Sequence, residues 1–187
     1  MKQVYALVVV LLAVMGSCGG KKERTSIKKE QLMYQIDSVD HRTGVQRMQV
    51  SRTEMPIEAG GRKYSLFVER APSDSLPRVH TDMGVFADNR IVVRITREGK
   101  RIYNKVFTKS AFAGYVSEKS LRSFVLEGVV FDEEKTKAAK GNIILASSIG
   151  YPQTDLYIPF TITVTPDGRM SITKNEDLDE LTPIDSI

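Results

Sequence analysis

The chain has two histidines, His41 and His80, and each has carboxylates beside it: Asp37 and Asp40 before His41, and Asp82 after His80. Imidazole and carboxylate are donors for a zinc or hydrolytic centre. Such a centre needs three or four of them converging, and neither segment carries a spaced ligand motif. Both segments read as loops or element ends, so no metal and no cofactor is expected. Two serine-x-x-lysine tetrads, Ser26 to Lys29 and Ser171 to Lys174, match a pattern of some acyl-transfer enzymes. That chemistry places the serine at a helix N-terminus with the lysine one turn on. Ser171 instead lies in an alternating strand, where residues three apart point to opposite faces, and Ser26 lies in a charged tether. The one cysteine, Cys18, cannot close an intramolecular disulfide and lacks the paired spacing of a thiolate metal site. A catalytic thiol also needs a positioned histidine, which nothing around it supplies.

The residues before Cys18 give it another use. Lys2 supplies a positive start, and Val4 to Met15 is an unbroken apolar stretch of the length of a signal-peptide core. A spanning helix takes roughly 20 apolar residues, whereas this run is cut by Gly16 and Ser17. Met15-Gly16-Ser17-Cys18 resembles a bacterial lipobox, in which the cysteine becomes the acylated first residue of the mature chain. Residues 1–17 are therefore expected to be a signal peptide, and Cys18 the lipidation site that ties the chain to a membrane.

Removing residues 1–17 leaves 170 of the 187, enough for one domain with a substantial core. The loss of Lys2 takes the net charge from +4 to +3, too mild to call for nucleic acid as a partner. With no tryptophan, an aromatic sugar-stacking platform would rest on Tyr and Phe alone. After Cys18 the stretch GGKKERTSIKKE is glycine-rich and charged, so 18–30 is expected to be the lipidated Cys and its tether. Its lysines are placed to sit near anionic headgroups. A single β-rich domain is expected over 31–174, and an acidic tail over 175–187.

Within that domain the hydrophobic period is two. One strand is expected from Val45 to about Pro56; then a Gly60-Gly61 turn leads into Tyr64, Leu66 and Val68 alternating against Lys63, Ser65 and Phe67. Ala71 to Pro77 reads as a loop. The clearest hairpin runs from Asp88 to Phe107 around Glu98-Gly99-Lys100. Ser117, followed by Leu121, Phe124 and Val125 at helical spacing, predicts a short helix. Residues 128–150 read as two strands around a charged loop. Leu156, Ile158, Phe160, Ile162 and Val164 share one face of the strongest strand, where Pro159 suggests an edge or a bulge. Pro166-Asp167-Gly168 then turns into Met170 and Ile172. The class expected is mainly β, an antiparallel β-sandwich or partly open barrel with one or two short helices.

The central hairpin concentrates positive charge. Arg90 and Arg94 share a face of its first strand, Arg101 and Lys105 share a face of its second, and Lys109 stands just beyond. If those faces coincide, a cationic strip could meet the phosphates of lipopolysaccharide or an acidic glycan. An ordinary solvated sheet face accounts for the same pattern. Phe107, Phe112 and Tyr115 read either as a corner packing rings into the core or as one wall of a pocket.

The stretches DNRIVVRITREGKRIYNKVFTKSAF, LEGVVFDEE and ASSIGYPQTDLYIPFTITVTPDGRMSI resemble a family of Bacteroidetes lipoproteins whose domain is of unknown function. The similarity runs from about Tyr64 to Ile172, and its most recognisable elements are Asp88-Asn89, Phe107-Thr108-Lys109, Pro152 with Asp155, and Asp167-Gly168. The resemblance implies a cell-envelope lipoprotein with a mostly β domain and carries over no catalytic residue. No acidic run of the kind associated with surface export in that phylum follows Cys18, which favours a periplasm-facing anchor on the outer membrane. The function expected is that of a lipid-anchored, non-catalytic binding or scaffolding module with an envelope protein or glycan as partner. One alternative is a carrier whose cavity is lined by residues such as Phe107, Phe112 and Phe160. A second is a metal-dependent hydrolase using His41, His80 and nearby acids.

Overall fold

A computed structural model of the chain describes residues 36–175. Its strands in chain order are β1 Ile36–Val39, β2 Val45–Met48, β3 Ser51–Ala59, β4 Arg62–Pro72, β5 Val79–Thr81, β6 Gly84–Phe86, β7 Asn89–Arg97, β8 Lys100–Phe107, β9 Val125–Phe131, β10 Ile143–Gly150, β11 Tyr157–Val164 and β12 Met170–Lys174. A 3-10 helix, Lys109–Tyr115, and two α-helices, α1 Glu118–Ser123 and α2 Glu133–Ala138, interrupt them.

The strands form three open sheets of four, ordered β3-β4-β7-β8, β12-β11-β10-β9 and β1-β2-β6-β5. The first two are antiparallel throughout and close one hydrophobic core between them, so the fold is a β-sandwich rather than a barrel. The period-two pattern builds this core directly. Ile57, Tyr64, Leu66, Ile91, Val93, Ile95 and Phe107 are buried from one sheet, and Leu126, Val129, Leu145, Ile149, Phe160, Ile162 and Val164 from the other. The third sheet caps one end through Met48, Val79, Phe86 and Val125. Its β2–β6 pair is parallel, which departs from the purely antiparallel expectation.

Several boundaries differ from the sequence reading for identifiable reasons. The strand expected from Val45 to Pro56 divides at Gln49-Val50, because β2 and β3 join different sheets. Strand β3 then continues through Pro56, an outer strand of its sheet being able to lack one amide hydrogen. The segment expected to be a loop from Ala71 begins as the end of β4. Ser117 does cap a helix, its Oγ accepting from Ser120 N at 3.1 Å, but the helix stops at Ser123, and Phe124 and Val125 lead into β9. The charged loop after Phe131 contains α2, capped by Asp132 Oδ1 accepting from Lys135 N.

Pro159 lies in β11, a strand with neighbours on both sides, pairing with Ser148 of β10. The register with β12 ends at Phe160–Lys174, and Asn175 N donates to Pro159 O. In an antiparallel ladder the N and O of one residue face the same neighbour, so the missing donor points to where β12 has just ended. The strand is interior in order and an edge locally.

The second hairpin tip braces the first. A register shift between Ile95 and Thr96 leaves Ile102 as an extra residue in β8. A Cβ built on Gly168, which has φ +84°, would lie 2.2 Å from Ile102 O. Two requirements for glycine thus coincide: a left-handed backbone and contact with an unyielding carbonyl. Gly168→Ala is expected to lower stability by about 1–3 kcal/mol, read as a lower urea midpoint with an unchanged slope. An unchanged midpoint would mean that the tip does not brace β8.

Candidate functional site

The register of the β3-β4-β7-β8 sheet fixes which charges share its solvent face. Ile91, Val93 and Ile95 are buried, so Arg90, Val92, Arg94 and Thr96 point outward. Across β4, Arg94 stands opposite Phe67, Val92 opposite Glu69 and Arg90 opposite Ala71. Across β8, Arg94 faces Asn104, Val92 faces Val106 and, beyond the shift, Thr96 faces Arg101. The face therefore carries Arg90, Arg94 and Arg101 together.

Arg52 joins them from β3. Its guanidinium lies 4.9 Å from the centroid of the Phe67 ring, and that of Arg94 lies 4.5 Å away. The ring is only 7% exposed although it is on the solvent side, because two cations cover it. Stacking holds both groups in place, and Glu69 lies 3.8 Å from Arg52. Sequence reading missed Arg52 and Phe67. The signal available was an aromatic residue on the polar side of an alternating strand, but the arginines that cover it come from two other strands.

Lys105 and Lys109 do not belong to this strip. Lys105 pairs with Val93 and so lies on the core side, at the open edge of β8. Its ammonium is 5.2 Å from the Phe107 ring centroid and 3.7 Å from Met170 Sδ. The sequence reading placed Arg101 and Lys105 on one face; the extra residue at Ile102 puts them on opposite faces. Beside Lys105, Tyr103 donates to Met170 Sδ, and burial pushes its phenol up to about 12.

Lys109 turns inward at the start of the 3-10 helix. Its Nζ is 3.2 Å from Asp88 Oδ2 and donates to the carbonyl of Phe124, with only 13% of the lysine side chain and 5% of the aspartate exposed. Asp88 Oδ1 accepts from Asn89 N at 2.8 Å and Leu126 N at 2.9 Å. Asn89 Nδ2 is 2.9 Å from Met48 Sδ and donates to Leu126 O at 2.7 Å. Met48, Asn89 and Leu126 come from the three different sheets, so this cluster joins them. Asp88, Asn89 and Lys109, conspicuous in the sequence, are thus engaged in internal bonds.

The remaining candidates are dispersed. His41 and His80 are both exposed, and among the described residues no three His, Cys, Asp or Glu side chains are grouped to hold a metal. Asp82 accepts from the hydroxyl of Tyr151, and this bond holds that phenol above its ordinary value. Asp155 is exposed in the β10–β11 loop. Phe107, Phe112 and Phe160 are each 0% exposed, with ring centroids 6.4 Å apart for the first pair and 4.5 Å for the second. They meet one another as core rings. Tyr115, at 41% exposure, stays at the surface with its ring edge toward Phe160. Ser171 lies in β12, as its alternation implied. Cys18, the tether and most of the acidic tail lie outside the described residues. No helix among the described residues is long and apolar enough to cross a membrane.

A mostly β sandwich with a cationic face, and with no three His, Cys, Asp or Glu side chains grouped to hold a metal among the described residues, defines the class. The family described as a domain of unknown function, DUF4738, matches residues 28–172, and the chain belongs to it. No curated protein matches the chain.

Proposed function

We propose that this protein is a lipid-anchored, non-catalytic binding or scaffolding module of a bacterial cell envelope. The observation that carries the reading is the use made of its polar residues. Asp88, Asn89 and Lys109 are bonded inside the junction of the sheets, while the accessible arginines stand on a solvent-facing sheet whose carboxylate beside Arg52, Glu69, lies 3.8 Å from that guanidinium. Such a surface suits binding or positioning. The apolar run ending at Met15-Gly16-Ser17-Cys18 supports the anchor. The sequence after Cys18, which opens with glycines and lysines rather than acids, favours an outer-membrane position facing the periplasm.

The full chain expressed in a bacterium with lipoprotein-processing enzymes tests the anchor. The expected result is a mature N-terminus at Cys18, carrying the mass of a diacylglyceryl group and an acyl chain and partitioning into detergent. Cys18→Ser should abolish both the added mass and the partitioning. An N-terminus elsewhere, or an unmodified Cys18, sinks the proposal.

A further inference from the structure

The solvent face of β7 and β8 has a chemistry more specific than positive charge. Its strand positions hold Arg90, Val92, Arg94 and Thr96 on β7, and Val106, Asn104 and Arg101 on β8, with no carboxylate among them. At its centre Val92 and Val106 form a cross-strand apolar pair, and Val106 is left 49% exposed. Arg90 to Thr96, the partner of Arg101, spans six residues, or about 20 Å of strand. Arg94 is fixed by its stacking on Phe67, while Arg90 and Arg101 are exposed and form no ion pair among the described residues.

Apolar side chains flanked along their strands by arginines suit an interface between water and an anionic bilayer, where the aliphatic groups enter the headgroup region and the guanidiniums meet phosphates; the one carboxylate beside the pair, Glu69 opposite Val92, lies 3.8 Å from Arg52. A sugar or nucleobase would need an open aromatic face. The one ring on this surface, Phe67, is already covered by Arg52 and Arg94. Position adds a second argument. The 17 residues from Gly19 to Gln35 reach at most about 60 Å, so an anchor at Cys18 would keep the domain at high effective concentration beside its own membrane. A weak surface then suffices to orient it.

We propose that the β7–β8 face, through Arg90, Arg94 and Arg101 around the Val92–Val106 pair, docks on the anionic phospholipid surface of the membrane that carries the chain. The proposal rests on the anchored reading above, and its test is arranged so that the two fail separately. Residues 18–187 bearing Cys18→Ser, which retain every described residue and cannot be acylated, are sedimented with phosphatidylcholine vesicles. A parallel set of vesicles contains one part in four phosphatidylglycerol. Binding is expected to the anionic vesicles alone and to weaken as salt is raised. Arg90→Gln with Arg101→Gln removes two exposed cations and leaves the Arg94–Phe67 stack intact. At about 1 kcal/mol for each basic residue near the surface, it should lower partitioning roughly 30-fold with an unchanged circular dichroism spectrum. Equal binding to neutral vesicles, or none to anionic ones, overturns the docking. So does unchanged partitioning of the double variant, since Lys21, Lys22, Lys28 and Lys29 of the tether would then supply the attraction. None of these outcomes bears on whether Cys18 is acylated, which mass measurement decides.

Discussion

Asp88→Ala is expected to lower stability by about 3–5 kcal/mol, a large part of the roughly 5–15 kcal/mol that holds a domain of this size together. The substitution leaves the Lys109 ammonium, only 13% exposed, without its counter-charge. It also removes the acceptor of Asn89 N and Leu126 N. A buried charge deprived of its partner costs more than the pair contributes, since the desolvation remains after the attraction has gone. Asp88→Ala combined with Lys109→Met should therefore be less destabilised than Asp88→Ala alone. A non-additive double-mutant cycle in urea unfolding is the measurement. Lys109→Met alone should be milder than Asp88→Ala, because the carboxylate keeps two backbone donors. If Asp88→Ala lies within 1 kcal/mol of the parent, the three sheets are not joined through this pair, and Asp88 and Lys109 return as candidates for binding.

What was legible in the sequence follows the range of the interaction that determines it. Alternation grouped Tyr64, Leu66 and Val68 on one face, because strand periodicity is local, and that is the side the sandwich buries. The turns at Gly60-Gly61, Glu98-Gly99 and Gly168 were legible because each needs a positive φ, which limits the residues that fit. Strands β5 and β6 were not. Three residues each, they are held by pairing with one another and with β2 some forty positions earlier. The cationic strip was half legible. Period two put Arg90 and Arg94 together, but a single extra residue at Ile102 moved Arg101 to their side and left Lys105 on the other. Register shifts of this kind reverse every inference beyond them. The inward turn of Lys109 depends on a carboxylate twenty-one positions away and a carbonyl fifteen away. No spacing rule announces either contact.

Phe112→Ala carries the second large effect and bears on the carrier alternative. Phe112 projects from the 3-10 helix into the sandwich, fully buried between Phe107 and Phe160. Truncation should cost about 3–5 kcal/mol, because the neighbouring rings sit on β8 and β11 and are constrained by their ladders from closing the gap. The resulting hole would be lined by carbon, and such holes stay dry and accept small apolar guests. Saturating benzene is accordingly expected to raise the urea midpoint of Phe112→Ala and leave that of the parent unchanged, since a guest stabilises only a fold with room for it. The comparison separates two uses of the same three phenylalanines. If the parent midpoint also rises, its interior admits a guest, and the protein is better understood as a carrier. If only the variant responds, the rings are the filling, and any ligand is met on the outer faces of the sandwich.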